Sequence, residues 1–182
     1  DSVTSNMIVA KEDHYFVYPT DFHHYLTKYR DSFQHGGISL EEMILPGNLV
    51  LRVMTSDDLD IVMRIEGASF DSPWTRSNFA DELKNSDIAL PLVLEQNKTI
   101  IGFIVLWIIM DECHLANIAV DPDYRGRGLS KIMMQQVIAI ARQNQCVKVM
   151  LEVRKSNATA IALYQKFMFE KVGVRKNYYH DG

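Results

Sequence analysis

Cysteine is scarce in this chain. Cys113 and Cys146 are the only two among 182 residues. One falls in a strand-like stretch, the other opens one, and no CxxC spacing joins them. They read as buried, reduced thiols of a cytoplasmic protein, not as a disulfide framework. Long apolar runs are missing too. The longest, Ile100 to Met110, is 11 residues and is interrupted by Gly102, whereas a membrane span needs about 18 or more. No basic segment followed by an apolar one stands at the N-terminus, so no signal peptide is expected. Positive charge is not in surplus: 19 Lys and Arg against 23 Asp and Glu give a net charge of −4. Tight general binding to nucleic acid is therefore disfavoured, a local basic patch stays open, and a positively charged substrate would be tolerated. Neither GxGxxG nor a Walker lysine occurs, which disfavours a dinucleotide or a nucleoside triphosphate. Internal repeats and low-complexity tracts are absent.

What is present suits one soluble domain with an extension: 47% apolar and 23% charged residues. Pro46-Gly47 separates two unlike parts. Residues 1–46 are rich in aromatics and His and form an N-terminal extension, with strand-like stretches at Met7 to Ala10 and His14 to Tyr18 and a helix at Asp21 to Tyr29. Residues 47–182 form the main domain. Leu49 to Met54 alternates as a strand does. Ser56-Asp57-Asp58 offers an N-cap with acidic residues in the first helical turn, and Leu59, Val62 and Met63 continue at helical spacing. Ser72-Pro73-Trp74-Thr75 breaks that helix, and Thr75 to Leu83 reads as a second. Ile88 to Glu95 and Thr99 to Met110 form a hairpin around Gln96-Asn97-Lys98, and Cys113 to Val120 is a further strand. Leu129, Ile132, Met133, Val137, Ile140 and Ala141 mark a strongly amphipathic helix. A buried strand at Val147 to Val153, a helix at Asn157 to Phe167 and a strand at Phe169 to Arg175 close the pattern. This order predicts an α/β domain with a mixed sheet.

The chemistry concentrates at the junction Val120-Asp121-Pro122-Asp123-Tyr124-Arg125-Gly126-Arg127-Gly128-Leu129-Ser130. A strand ends, a basic Gly-rich turn follows, and a long helix begins. The free N–H groups of that helix end, with its dipole, make an anion site. Gly126 and Gly128 let backbone approach a phosphate closely, and Arg125 and Arg127 can add charge-assisted bonds. An ordinary tight turn with two solvated arginines is the competing interpretation.

This stretch resembles the Gcn5-related N-acetyltransferase (GNAT) superfamily, whose pyrophosphate loop is Gln/Arg-x-x-Gly-x-Gly/Ala. Arg125, Gly128 and Ser130 take the marked positions, with Ser130 departing from Gly/Ala. Asn117-Ile118-Ala119-Val120-Asp121-Pro122-Asp123-Tyr124, Leu151-Glu152-Val153-Arg154, Ser156 to Tyr164 and Arg175-Lys176-Asn177-Tyr178-Tyr179 are similar to the bacterial ribosomal-protein-alanine N-acetyltransferases (the RimI group). Glu66, Phe70, Pro73, Trp74 and Phe79 fit that group's first helical region. The resemblance covers about residues 49–179.

It implies a GNAT fold, a mixed and mostly antiparallel sheet with flanking helices, and acetyl-CoA as co-substrate. It implies a protein N-terminal amine as acceptor, within the group the alanine of a small-subunit ribosomal protein. By the same resemblance Glu152 is the base, acting directly or through water, and Tyr164 protonates the leaving thiolate. Ile118, Ala119 and Val120 present backbone to the pantetheine arm, Arg125 to Ser130 hold the pyrophosphate, and Asn157 contacts the pantetheine or the phosphates. No metal is implied. Taken alone, Glu152 could be a strand-edge carboxylate, Tyr164 a core tyrosine and Asn157 a plain N-cap.

Three features depart from the resemblance. Met168 stands where the family has Gly after the helix, and a left-handed Met there costs about 1–2 kcal/mol. The family continues beyond Asn177-Tyr178-Tyr179 with one more strand, which leaves an open edge beside Val147 to Val153 or Phe169 to Arg175. Such an edge recruits a strand, either Met7 to Ala10 or His14 to Tyr18, or a second copy of the chain through self-association. Finally, Phe33-Gln34-His35-Gly36-Gly37-Ile38-Ser39-Leu40-Glu41-Glu42 is similar to the C-terminal end of PglZ-type alkaline-phosphatase-like domains. In those the His of HGG ligates metal, but His35 alone cannot build a site. Three rival readings stay open: a same-fold acetyltransferase of a small amine or lysine, a CoA-binding module without catalysis, and a metallohydrolase remnant.

Overall fold

A computed structural model describes residues 14–19, 42–85 and 87–174. The predicted strand at Met7 to Ala10, the helix at Asp21 to Tyr29, His35-Gly36-Gly37 and Arg175 to Tyr179 lie outside the described residues. The strands are β1 His14–Pro19, β2 Glu42–Leu45, β3 Leu49–Val53, β4 Ala89–Gln96, β5 Thr99–Ile109, β6 Glu112–Val120, β7 Lys148–Arg154 and β8 Phe169–Val174. The helices are α1 Leu59–Gly67, α2 Arg76–Lys84, α3 Leu129–Gln143 and α4 Ala158–Lys166. One sheet holds all eight strands in the order β2-β3-β4-β5-β6-β7-β1-β8. Only β6 and β7 pair in parallel; the other neighbours are antiparallel.

Turn chemistry sets the meander from β2 to β6. Asn97 and Lys98 both take positive φ, the two-residue turn whose twist matches that of the flanking strands. Pro46-Gly47-Asn48 is likewise a hairpin turn, with Gly47 at φ 81° and Asn48 at φ 58°, and Leu45 pairs with Leu49 across it. Strands from both sides of Pro46-Gly47 thus enter one sheet. Four-residue β2 escapes the sequence because it is too short to show a period. The helix predicted from Ser56 begins at Leu59 after a 3-10 turn. The Asp58 carboxylate folds back instead, accepting from the Thr55 N–H at 2.7 Å and from both terminal nitrogens of Arg52 at 2.7 and 2.8 Å.

Both faces of the sheet are covered. Phe103 and Val105 of β5 join Val62, Ile65 and Phe79 of α1 and α2 on one face. Ile104 and Leu106 join Met133, Val137 and Ile140 of α3 on the other. β5 is central, which is why it reads as a continuous apolar run and not as an alternation. Each fully buried large side chain contributes about 1.5–3 kcal/mol.

β1 lies between β7 and β8. Phe16 pairs with Glu152 on one side and Gly173 on the other. The strand between β7 and β8 is thus supplied by the N-terminal part of the chain, at the stretch His14 to Tyr18 that the sequence reads as strand-like.

Candidate active site

β6 and β7 run side by side only at their start. Their pairing reaches from Glu112 with Lys148 to Leu115 with Leu151 and no further, although β6 continues to Val120 and β7 to Arg154. On the other flank of β6 the register with β5 jumps between Leu115 and Asn117, leaving Ala116 as an extra residue. A bulge bends its strand and sharpens its twist. It falls where β6 leaves β7, and the parting opens a wedge. Ile118, Ala119 and Val120 line one wall with backbone that has no β7 partner. Glu152 projects as an exposed side chain from the other.

The turn after β6 closes the wedge at its end. Asp121 caps the 3-10 turn Pro122–Tyr124 through its side chain. Gly128 then serves as the N-cap of α3 at φ 78°, ψ 5°, with no side-chain cap bond. A Cβ built on Gly128 would meet nothing within 4 Å. The space above the turn is open, while the backbone angle still demands glycine. First-turn amides without an internal acceptor, at the positive end of a 15-residue helix, suit a pyrophosphate. Close by, a Cβ on Gly102 of β5 would sit 2.8 Å from the Ala119 carbonyl oxygen, so glycine there lets β5 and the end of β6 approach.

The two arginines of the turn are engaged with protein. Arg125 donates from Nε to the Val120 carbonyl at 3.0 Å and from a terminal nitrogen to Ser69 Oγ at 2.8 Å. Arg127 donates to the Asp123 carbonyl and stacks over the Tyr124 ring at 4.9 Å. In this arrangement both side chains brace the turn.

Behind the wedge, Asn157 caps α4, its side-chain oxygen accepting from Ala160 N–H at 3.0 Å. Tyr164 is the residue of α4 turned fully inward, 6% exposed, with its ring 6.0 Å from Phe169. Burial pushes its hydroxyl up to about 12. Met168 takes φ 61°, the left-handed conformation expected where the family has Gly.

The sequence reading missed the polar ties of the segment joining α1 to α2. Ser69 is held by Arg125, Asp71 pairs with Arg154 at 2.8 Å, and the Trp74 N–H donates to Glu66 at 2.7 Å. Glu66 offered a signal: it continues the inward spacing of Leu59, Val62 and Met63, so a carboxylate stands at a core position. Among the described residues no group of His, Cys, Asp and Glu is arranged to hold a metal. No described helix is long and apolar enough to cross a membrane.

Parted strands in a mixed sheet, leading into a glycine-capped helix N-terminus, suit an acyl-CoA-dependent transferase. The acetyltransferase (GNAT) family model matches residues 59–169, and the chain belongs to that family: it is an N-acetyltransferase whose co-substrate is acetyl-CoA. A relative from Bacillus subtilis, provisionally assigned to alanine N-acetylation of ribosomal protein bS18, is 39% identical over 131 residues, covering 72% of this chain and 87% of its own. The [ribosomal protein bS18]-alanine N-acetyltransferase of Escherichia coli strain K12 is 35% identical over 126 residues, covering 69% and 84%. The crystal structure of the Escherichia coli ribosomal-protein-S18-alanine N-acetyltransferase superposes with a TM-score of 0.67 at 34% identity, covering 72% of this chain and 83% of that one.

Proposed function

We propose that the chain acetylates the N-terminal amine of a protein, with the alanine of a small-subunit ribosomal protein as its preferred acceptor, in the cytoplasm. The observation that carries this reading is the wedge itself. Supporting it are Glu152 on the strand that parts from β6, the buried Tyr164 on the helix that follows that strand, and the glycine-capped start of α3 after the end of β6. The ribosomal-protein relatives at 35–39% identity support the acceptor class.

Acetyl-CoA, when bound, supplies an acetyl group activated as a thioester. Gly128 to Ser130 receive the pyrophosphate through their amides, and the backbone of Ile118 to Val120, paired with β5 but not with β7, takes the pantetheine amides on its β7 flank as it would an added strand. Asn157 stands at the same end of the sheet, where its carboxamide nitrogen meets the arm or the phosphates while its oxygen holds Ala160 N–H. The acceptor arrives as an ammonium and must lose a proton before its nitrogen can attack. Glu152 removes that proton, directly or through one water. As the new N–C bond forms and the C–S bond breaks, the sulfur takes up charge, and Tyr164 gives it a proton. A hydroxyl titrating at about 12 stays protonated across the working pH range, as an acid for this step must. Each positioned proton transfer contributes about 10²–10⁴-fold.

Acetyl-CoA offered with a panel of peptides differing in their first residue, with release of the CoA thiol followed, tests the reading. Turnover fastest on an alanine N-terminus is expected. Turnover on a free small amine or a lysine side chain alone would replace the acceptor class. CoA binding without thiol release on any amine would leave a binding module. Self-association through an exposed sheet edge belongs to the same proposal and is tested below.

A further inference from the structure

The segment between α1 and α2, residues 68–75, crosses the mouth of the wedge. One side is anchored beyond the end of β6, where Arg125 holds Ser69 Oγ. The other reaches the end of β7, where Arg154 pairs with Asp71. Both of these ties are weak by nature. Asp71 is almost fully exposed, 93% at its side chain, and exposed ion pairs contribute little and are screened by salt.

The third tie is of another kind. Glu66, in the last turn of α1, is 1% exposed. Its Oε1 accepts from the Trp74 N–H at 2.7 Å and its Oε2 from Asn117 Nδ2 at 3.1 Å. Asn117 is itself buried and follows Ala116, the bulged residue at which β6 leaves β7. One buried carboxylate thus joins the far end of the crossing segment to the point where the wedge opens. Burial pushes the Glu66 carboxyl above the ordinary carboxylate range, and its two N–H donors pull it back. A charged group is seldom kept in such a place unless its bonds are needed, because an apolar residue would fill the same volume at no desolvation cost.

We propose that Glu66 is a positioning residue for the acceptor: by fixing Trp74 to Asn117 it sets the height of residues 68–75 over the thioester end of the wedge, and so governs acceptor affinity while leaving CoA affinity alone. This rests on the acetyltransferase reading. Trp74 packs on Phe79, ring centroids 5.3 Å apart, so the segment beyond the tie is held by the core. The margin that only the two weak ties hold lies between Ser69 and Trp74. Loss of the carboxylate frees that margin without touching Gly128 to Ser130.

Three variants test it. Glu66→Met keeps the volume and removes both acceptors. Asn117→Asp sets two buried carboxylates against each other. Asn117→Asp combined with Glu66→Gln restores a donor facing an acceptor and returns an oxygen to the Trp74 N–H. Each single variant is expected to raise the acceptor-peptide KM about tenfold or more, with the CoA dissociation constant changed less than about twofold and kcat at saturating peptide largely kept. The pair is expected to bring KM back to within about threefold of the parent, since coupled neighbours are not additive. An unchanged KM in Glu66→Met overturns the proposal, as does a CoA affinity that falls in step with KM, or a failure of the paired variant to recover when its melting temperature has recovered. If the parent chain turns over no peptide, the acetyltransferase reading fails by itself. Glu66 is then judged by Trp74 fluorescence in a Trp107→Phe background. A red shift in Glu66→Met supports the tie, and an unshifted spectrum removes it.

Discussion

Two strand-to-helix junctions stand next to each other at one end of the sheet, and they are finished in opposite ways. Where β6 passes into α3, the helix starts on a left-handed glycine with no side-chain cap. Its first-turn amides have no acceptor within the helix itself. Where β7 passes into α4, Asn157 turns its own side chain onto the helix and bonds Ala160 N–H. The first junction is left open, without a side-chain cap bond; the second is closed by one and mounts Tyr164 on the helix that follows.

The largest effect separating them is expected at the mount. Tyr164→Phe should lower turnover about 10²–10⁴-fold with CoA affinity intact, because only the leaving-group proton is lost. Glu152→Gln should lower turnover by a similar factor near neutral pH and by less at high pH, where the amine deprotonates unaided. Since the Tyr164 hydroxyl titrates at about 12, the parent rate should show no loss from this group until the pH nears that value. Thiol-release kinetics from pH 6 to 11 check all three. Wild-type rates in both variants would detach the chemistry from this junction.

Gly128→Asp attacks the open junction. It puts a carboxylate and a strained Cβ where the phosphates belong, and CoA affinity should fall about 100-fold or more by calorimetry. Because no protein atom lies within 4 Å of the added Cβ, the fold should persist, destabilised by about 1–2 kcal/mol from the backbone angle. Unchanged CoA affinity would remove the pyrophosphate assignment.

Deleting residues 1–19 strips β1 from between β7 and β8. β7 then keeps only its short pairing with β6 and β8 loses its partner, and melting temperature or solubility should drop while CoA contacts at Gly128 to Ser130 survive. Light scattering tells the two proposed outcomes apart: self-association of the deleted chain through the bared strands, or simple loss of stability. A deletion variant as stable and monodisperse as the parent would make β1 a passive appendage.

Asn157→Ala removes the cap of the closed junction at a cost of about 1 kcal/mol, a fall of about 2–4 °C in melting temperature for a chain of this size. The smallest effect has the opposite sign. Met168→Gly relieves a left-handed methionine at the other end of α4 and should stabilise by about 0.5–1 kcal/mol, trimmed by the packing that Met168 gives the core. A melting scan of both variants checks the pair.

The sequence by itself determined most of the local order. Alternation, continuous apolar runs and helical spacing placed β1, β3 to β8 and α1 to α4 within a few residues, because strand and helix leave their marks in neighbouring side chains. The Arg125 to Ser130 turn was legible for a similar reason: glycines at positive φ and a helix start are local features. Glu152, Tyr164 and Asn157 were named from a resemblance, and their place in the fold follows from the strand and helix that carry them. Tertiary structure alone decided the rest. The wedge depends on a bulge at Ala116 that shows only against the register of β5. The tie from Glu66 to Asn117 joins residues 51 apart in sequence, and the guanidinium of Arg125 is turned onto Ser69, 56 residues away. The strand between β7 and β8 comes from the opposite end of the chain. Local propensity says that a strand will form; which edge it completes is settled by where hydrogen bonds remain unmade once the rest of the sheet is in place.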